Sequence, residues 1–300
     1  MVSLPTPLQQ ISEPFIEELG VKVFVKRDDL IHPEIMGNKF RKLKYNLLRA
    51  KEKRAEELVT FGGAYSNHIA ATAAAAAENG FRSVGYIRGD ELNENSNPTL
   101  QFAKSKGMDL HFISRSHYRS LCENLSQISK AHPNAYILPE GGTNNLAIKG
   151  CAEIIEEIPL KFNYIMTAIG TGGTFCGLVN GLTKGQKAIG ISTLKGSFIK
   201  TEVEKMLKQV KIEGDVFEIN TDYHHGGYGK VSDSLIEFIN DFKRNHSIAL
   251  DPIYTGKTFF AVWDMLRKGY FSKGETLIVL HSGGLQGIEG FNRKSGHVLE

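Results

Sequence analysis

The chain reads as an α/β protein with mainly parallel open twisted sheets. Apolar strand-like runs alternate with helical stretches along its whole length. Four Gly-rich or polar turns each follow an expected strand end: Gly62–His68, Gly141–Asn145, Gly170–Thr174 and Ser282–Gly284. The carboxyl ends of strands are where open α/β sheets hold ligands.

Taken in order, the first strand is expected at Leu19–Val25, from its alternating apolar residues. Lys42–Ala55 has helical spacing through Leu43, Leu47 and Leu48. Glu57–Phe61 is the next strand, followed by an Ala-rich helix from Ile69 to about Glu78 that Asn79-Gly80 stops. The alternation repeats as strand Ser83–Arg88, helix Pro98–Lys106, strand Leu110–Ser114, helix His117–Ala131 and strand Tyr136–Pro139. Helix Leu146–Glu157 and strand Tyr164–Ile169 lead to a helix ending near Leu182. Strand Ala188–Thr193, helix Ile199–Gln209, strand Val216–Asn220 and helices Val231–Lys243 and Lys257–Arg267 come next. Strand Thr276–Leu280 precedes the last helix.

Composition removes several classes of function. A net charge of +3, without a basic block carrying aromatics, argues against nucleic acid. Cys122, Cys151 and Cys176 are scattered, which suggests neither a disulfide framework nor a zinc site and fits a reducing, cytoplasmic setting. Residues 1–10 lack a signal-peptide pattern, and no apolar run approaches the ~18 residues of a membrane span.

Lys39, in Met36-Gly37-Asn38-Lys39-Phe40-Arg41-Lys42-Leu43, is expected at or near the first turn of a helix. A cation there opposes the helix dipole. Lys39 is either a solvated surface lysine or an amine made nucleophilic by a lowered pKa, with Arg41, Lys42 and the dipole all pushing it down. Gly170-Thr171-Gly172-Gly173-Thr174 follows a strand and opens a helix, so its N–H groups can surround a phosphate. Phe175 breaks a GxGxxG pattern and no Lys follows as in a Walker A loop; the alternative is a packing turn. Ser66-Asn67-His68 is a second polar group at a helix start, where Ser66 also suits a plain N-cap. Asn67 suits a ring hydroxyl, and His68 is either a base or structural. The pair His224-His225 offers no metal geometry, because adjacent histidines seldom face one ion. Tyr254 suits an acid–base role and Thr255 a ring-nitrogen partner, with turn chemistry as the alternative for both.

Seven motifs in family order cover nearly the whole chain. They are Pro5-Thr-Pro7-Leu8, Lys26-Arg-Asp-Asp29, Gly37-Asn-Lys-Phe-Arg-Lys-Leu43, Ser66-Asn-His68, Gly170-Thr-Gly-Gly-Thr174, Asp251-Pro-Ile-Tyr-Thr-Gly-Lys257 and His281-Ser-Gly-Gly284. On these the chain resembles the pyridoxal-phosphate (PLP) enzymes related to the tryptophan synthase β-subunit, of fold type II. More narrowly it resembles the 1-aminocyclopropane-1-carboxylate (ACC) deaminase/D-cysteine desulfhydrase family. The resemblance implies PLP as cofactor, a small amino acid as substrate and a homodimer. It also implies two domains, residues 1–44 plus 142–300 and an inserted smaller one at 45–141. Lys39 would form the Schiff base and move the Cα proton. Lys42 and Gly170, Thr171, Gly172, Gly173 and Thr174 would hold the phosphate. Asn67 would bond the ring hydroxyl, and Ser66 the substrate carboxylate or a proton. Tyr228 and Tyr254 would sit beside the reacting carbon, and Thr255 and Ser282 would complete the cofactor site.

Two departures bear on the substrate. Where ACC deaminases place a Glu facing the pyridine nitrogen, this chain has Thr255. Where they place Leu before the last Gly-Gly, it has Ser282, closer to the Thr of desulfhydrases. Both favour β-elimination from D-cysteine, giving pyruvate, ammonia and sulfide, over ACC opening to 2-oxobutanoate and ammonia. A non-catalytic cofactor-binding protein is the alternative of another class. Without the resemblance, the next reading is a nucleotide-binding enzyme using residues 170–174. The stretch Tyr223-His-His-Gly-Gly also differs from the Pro-containing segment usual before Tyr228.

Overall fold

A computed structural model describes residues 2–212 and 214–299. It opens with strand β1 (Leu8–Ile11), helix α1 (Pro14–Leu19), β2 (Lys22–Lys26) and α2 (Asn38–Glu52). Then come β3 (Glu57–Gly63), α3 (Asn67–Asn79), β4 (Arg82–Arg88), α4 (Pro98–Ser105), β5 (Met108–Ile113), α5 (Arg115–Glu123), α6 (Ser126–Ala131) and β6 (Ala135–Ile137). The remainder is α7 (Asn145–Glu156), β7 (Tyr164–Ile169), α8 (Gly173–Gly181), β8 (Lys187–Ser192), α9 (Phe198–Gln209), β9 (Phe217–Asn220), α10 (Asp233–His246), α11 (Thr255–Arg267), β10 (Thr276–Leu280) and α12 (Gly287–Ser295). Among the described residues, no helix is long and apolar enough to cross a membrane.

The alternation expected from sequence holds; β1 and α1 are additions to it, and two expected elements are corrected. The expected strand Leu19–Val25 is shortened to Lys22–Lys26, because Pro14 starts a helix that Gly20 ends at φ +66°. The expected helix His117–Ala131 is two helices. The Asn124 side chain accepts from the Ser126 amide, a turn that competes with helix continuation.

Among the described residues, ten strands form two sheets. The larger has the order β1-β2-β10-β7-β8-β9, and β1–β2 is its antiparallel pair. The smaller, β5-β4-β3-β6, is parallel throughout. Continuous apolar runs such as Thr276–Leu280 suit strands covered on both faces. One face of the larger sheet packs Phe175, Val203 and Ile148 from α7, α8 and α9. The other packs Ile239, Phe259 and Trp263 from α10 and α11.

In the larger sheet the chain moves outward from β7 through β8 to β9, then returns to place β10 on the other side of β7. In the smaller, β4 and β5 lie on one side of β3 and β6 on the other. Each reversal opens a crevice at the strand carboxyl ends. Turns 170–174 and 282–284 flank the first crevice, and turns 63–67 and 140–142 the second.

A buried ionic cluster fixes α2 between these crevices. The Arg41 guanidinium, 1% exposed, donates to Asp28 (Nε 3.1 Å, Nη2 2.9 Å) and to Glu157 (Nη2 2.8 Å). Lys26 Nζ also donates to Glu157 and to the Thr6 carbonyl, both at 2.8 Å. The Thr6 hydroxyl closes the cluster on Asp28 at 2.7 Å. Burial pushes the Glu157 carboxyl up, but the hydrogen bonds and charges of Arg41 and Lys26 outweigh it and hold it at about 2. Its share of stability is therefore complete above the ordinary 4.5 and is lost as the pH falls from there through about 2. Arg41→Met leaves Asp28 and Glu157 without their shared cation. Urea denaturation at neutral pH should show a loss of about 3–5 kcal/mol; a loss under about 1 kcal/mol would mean the cluster does not hold α2.

Candidate active site

The helix bearing Lys39 begins where it does because of Gly37. Its φ of +60° and its contact with the 282–284 turn both demand glycine; a Cβ there would lie 1.9 Å from the Ser282 carbonyl oxygen. The Asn38 amide donates to that same oxygen at 3.1 Å. Lys39 is thus placed in the first turn of α2, as expected, and faces a cavity of about 1150 Å³. Both sheets line it at their strand carboxyl ends. Lys39 keeps some surface on the cavity side and is otherwise enclosed by protein. Burial, then the charge of Lys42, lowers its pKa to about 7, against smaller opposing pulls. Near neutral pH much of this amine is unprotonated. The surface-lysine reading of Lys39 falls with that burial.

Lys42 sits one turn further along. Its Nζ donates to the Gly141 carbonyl at 3.0 Å and to the Thr143 and Thr171 hydroxyls at 3.1 and 3.4 Å. These two hydroxyls are 2.6 Å apart, and the Asn38 amide group donates to the Thr174 hydroxyl at 2.8 Å. The cluster gathers at the start of α8, whose first N–H groups have no partner within the helix. Bulk is excluded there: a Cβ on Gly173 would come within 2.9 Å of Thr143 Cγ2 and 3.2 Å of Lys42 Nζ. A cation, three threonine hydroxyls and a helix N-terminus make an anion cup.

Opposite the cup, Ser66 accepts from the Ile69 amide at 3.3 Å and so caps α3, while also lining the cavity. Asn67 lines it too, and a Cβ on Gly284 would lie 3.1 Å from its Nδ2. His68 is fully buried between the Thr60 hydroxyl, 2.8 Å from Nε2, and Thr72. Burial, then Lys39 and Lys42, push its pKa well down, so it is a neutral structural histidine rather than a charged one. At the mouth, the Tyr254 hydroxyl donates to Tyr228 at 3.2 Å. Burial, then Tyr228, raise the Tyr254 pKa well above 10, which keeps it protonated. Ser282 also lines the cavity.

The structure thus gathers Lys39, Lys42, Ser66, Asn67, Gly170, Thr171, Gly172, Thr174, Tyr228, Tyr254 and Ser282 around one space. Gly173, at the cup, and Thr255, which is buried, do not themselves line the cavity. The Thr255 hydroxyl accepts from the Asp251 amide at 2.8 Å and donates to Asp251 Oδ2 at 2.7 Å. The same Asp251 carboxylate also accepts from the Thr255 amide at 2.9 Å, so the two residues are tied together at the start of α11. Sequence reading gave no role to Thr143, although its turn was marked as a strand-end loop, nor to Arg88 and Tyr118 on the far wall. His224 and His225 bond to the Gly226 amide and the Ser232 hydroxyl. Among the described residues, no group of three or more His, Cys, Asp or Glu could hold a metal ion.

The chain as a whole is similar to known proteins. A family model described as pyridoxal-phosphate dependent enzyme matches residues 2–283. A putative ACC deaminase of Pyrococcus furiosus is 32% identical, over 96% of this chain and 92% of its own. A mitochondrial bifunctional D-cysteine desulfhydrase/ACC deaminase of Arabidopsis thaliana is 27% identical, over 96% and 78%. A crystal structure of an ACC deaminase homologue superposes with a TM-score of 0.83 at 28% identity, covering 98% of this chain and 93% of that one.

The cup fits the phosphate of that cofactor by its donors and by the room its glycines leave. Lys42→Met removes one charged donor and should weaken pyridoxal-phosphate binding by roughly 10- to 150-fold. Titration of cofactor absorbance checks this, and unchanged affinity would place the phosphate elsewhere.

Proposed function

The chain belongs to the pyridoxal-phosphate-dependent enzymes, in their ACC deaminase/D-cysteine desulfhydrase branch, and from there we propose that it eliminates the β-substituent of D-cysteine. D-cysteine and water would yield pyruvate, ammonia and sulfide. The bound cofactor supplies an electron sink for the charge left when the Cα proton departs. In this reading Lys39 takes that proton, its near-neutral amine suiting it to both accept and return one. Lys42, Thr171, Thr174 and the backbone of Gly170, Gly172 and Gly173 hold the phosphate. Asn67, whose side chain has no hydrogen-bond partner among the described residues, bonds the ring hydroxyl. Ser66, at the head of α3, receives the substrate carboxylate, which the helix dipole favours. Tyr254 and Tyr228 stand as proton donors beside the leaving group.

One observation carries the choice of substrate. The carboxylates lining the cavity, Glu91, Glu123 and Glu140, come from the smaller-sheet segment, and none comes from α11 or the 282–284 turn. The nearby Asp251 accepts from the Ile253, Tyr254 and Thr255 amides and from the Thr255 hydroxyl, so it is consumed in capping α11. A site whose nearest carboxylate on that side is already committed suits a good leaving group such as a thiol better than an unactivated cyclopropane. ACC deamination is the second reading, favoured by the names of the relatives. We also propose a homodimer, and an inserted domain at 45–141 around the smaller sheet, whose strands all lie between Glu57 and Ile137.

The test is keto-acid release from the purified, cofactor-loaded protein, with D-cysteine and ACC side by side. Pyruvate and sulfide from the first, and no 2-oxobutanoate from the second, is the expected result. The reverse would transfer the assignment to ACC.

A further inference from the structure

Lys257 is 0% exposed and lies in the first turn of α11, where the helix dipole disfavours a cation. Among the described residues no carboxylate forms an ion pair with it. Its Nζ donates instead to the backbone carbonyls of His224 and Gly227, at 2.8 and 2.9 Å. Burial lowers its pKa to about 8, with Asp251 opposing, so it still carries most of its charge at neutral pH.

The carbonyls it draws inward belong to an unusual turn. His225, Gly226, Gly227 and Gly229 all have positive φ, at +48°, +92°, +111° and +70°. Positive φ is uncommon for a non-glycine residue, although histidine adopts it more readily than most. Tyr228 projects from this turn and is 51% exposed, so little packing holds it. Its hydroxyl nonetheless meets Tyr254 at 3.2 Å.

We propose that Lys257 is a positioning residue, whose buried ammonium clamps the 224–229 turn and so holds Tyr228 against Tyr254 at the cavity mouth. The inference rests on the role given above to Tyr228. It assigns this lysine to the reaction without contact with substrate or cofactor.

The test is a double-mutant cycle on the loaded enzyme, using the amino acid that is turned over, with Lys257→Met and Tyr228→Phe singly and together. Each single variant should lower kcat at least about tenfold while cofactor absorbance stays unchanged. The double variant should fall no more than about twofold further, because both changes remove one arrangement. Effects that simply multiply would overturn the proposal. Amide hydrogen exchange gives a readout independent of turnover. Residues 224–230 should exchange at least about tenfold faster in Lys257→Met, with α2 and β7 unchanged; equal exchange in that turn would also overturn it. If Lys257→Met does not fold, Lys257→Gln keeps a shorter, uncharged donor group, and an intermediate rise in exchange is expected. A wild-type rate in Tyr228→Phe would instead fault the role of Tyr228, and exchange alone would then decide for Lys257.

Discussion

The buried pairing of Arg41 with Asp28 and Glu157 is the constraint on which the site depends. It ties the end of β2, the first turns of α2 and the residue after α7 into one unit. Close backbone contacts extend that unit. A Cβ on Gly150 of α7 would lie 2.1 Å from the Arg41 carbonyl oxygen, and one on Gly177 of α8 would lie 2.3 Å from Cys151 Cβ. Three helices are therefore locked side by side. Lys39 and Lys42 from α2, Thr143 before α7 and Thr174 on α8 are consequently presented together. A charged cluster in such a place is costly to bury, and specificity of position is the return we assign to it.

Burial by the surrounding protein sets the protonation of the whole site. Burial lowers Lys39 and Lys42, keeps His68 neutral, and pushes the Tyr254 hydroxyl and the Cys151 thiol upward, the thiol to about 11. Among the described residues no carboxylate is hydrogen-bonded to the amine of Lys39 or Lys42, so charge is left to be answered by a ligand. A phosphate in the cup answers Lys42. The lysine nearer the substrate is left close to neutrality, where a proton moves in either direction at small cost.

Much of this was legible in the sequence because backbone conformation dictates residue type. Gly37, the 170–174 run and the 282–284 turn had to be glycine-rich for close approach or positive φ, and they mark the strand ends that build the cavity. Strands Tyr164–Ile169 and Thr276–Leu280 were bounded correctly, since apolar runs ending in glycine leave little freedom. The short strand Leu8–Ile11 carries no such signal; it forms only by pairing with β2. The Thr255 hydroxyl was equally opaque, because its direction depends on Asp251, four residues back, accepting it. The part played by Thr143 depends on α7 lying against α2, a tertiary fact with no local pattern. Lys257 stood in a motif without a role, because its partners are carbonyls, which sequence does not display.

The most direct measurement concerns Lys39. Borohydride reduction of the protein loaded with pyridoxal phosphate, followed by digestion and mass spectrometry, identifies the lysine that carries the cofactor. The account predicts a single modified peptide with the label on Lys39. A label on Lys42 or Lys257, or one spread over surface lysines, would contradict it.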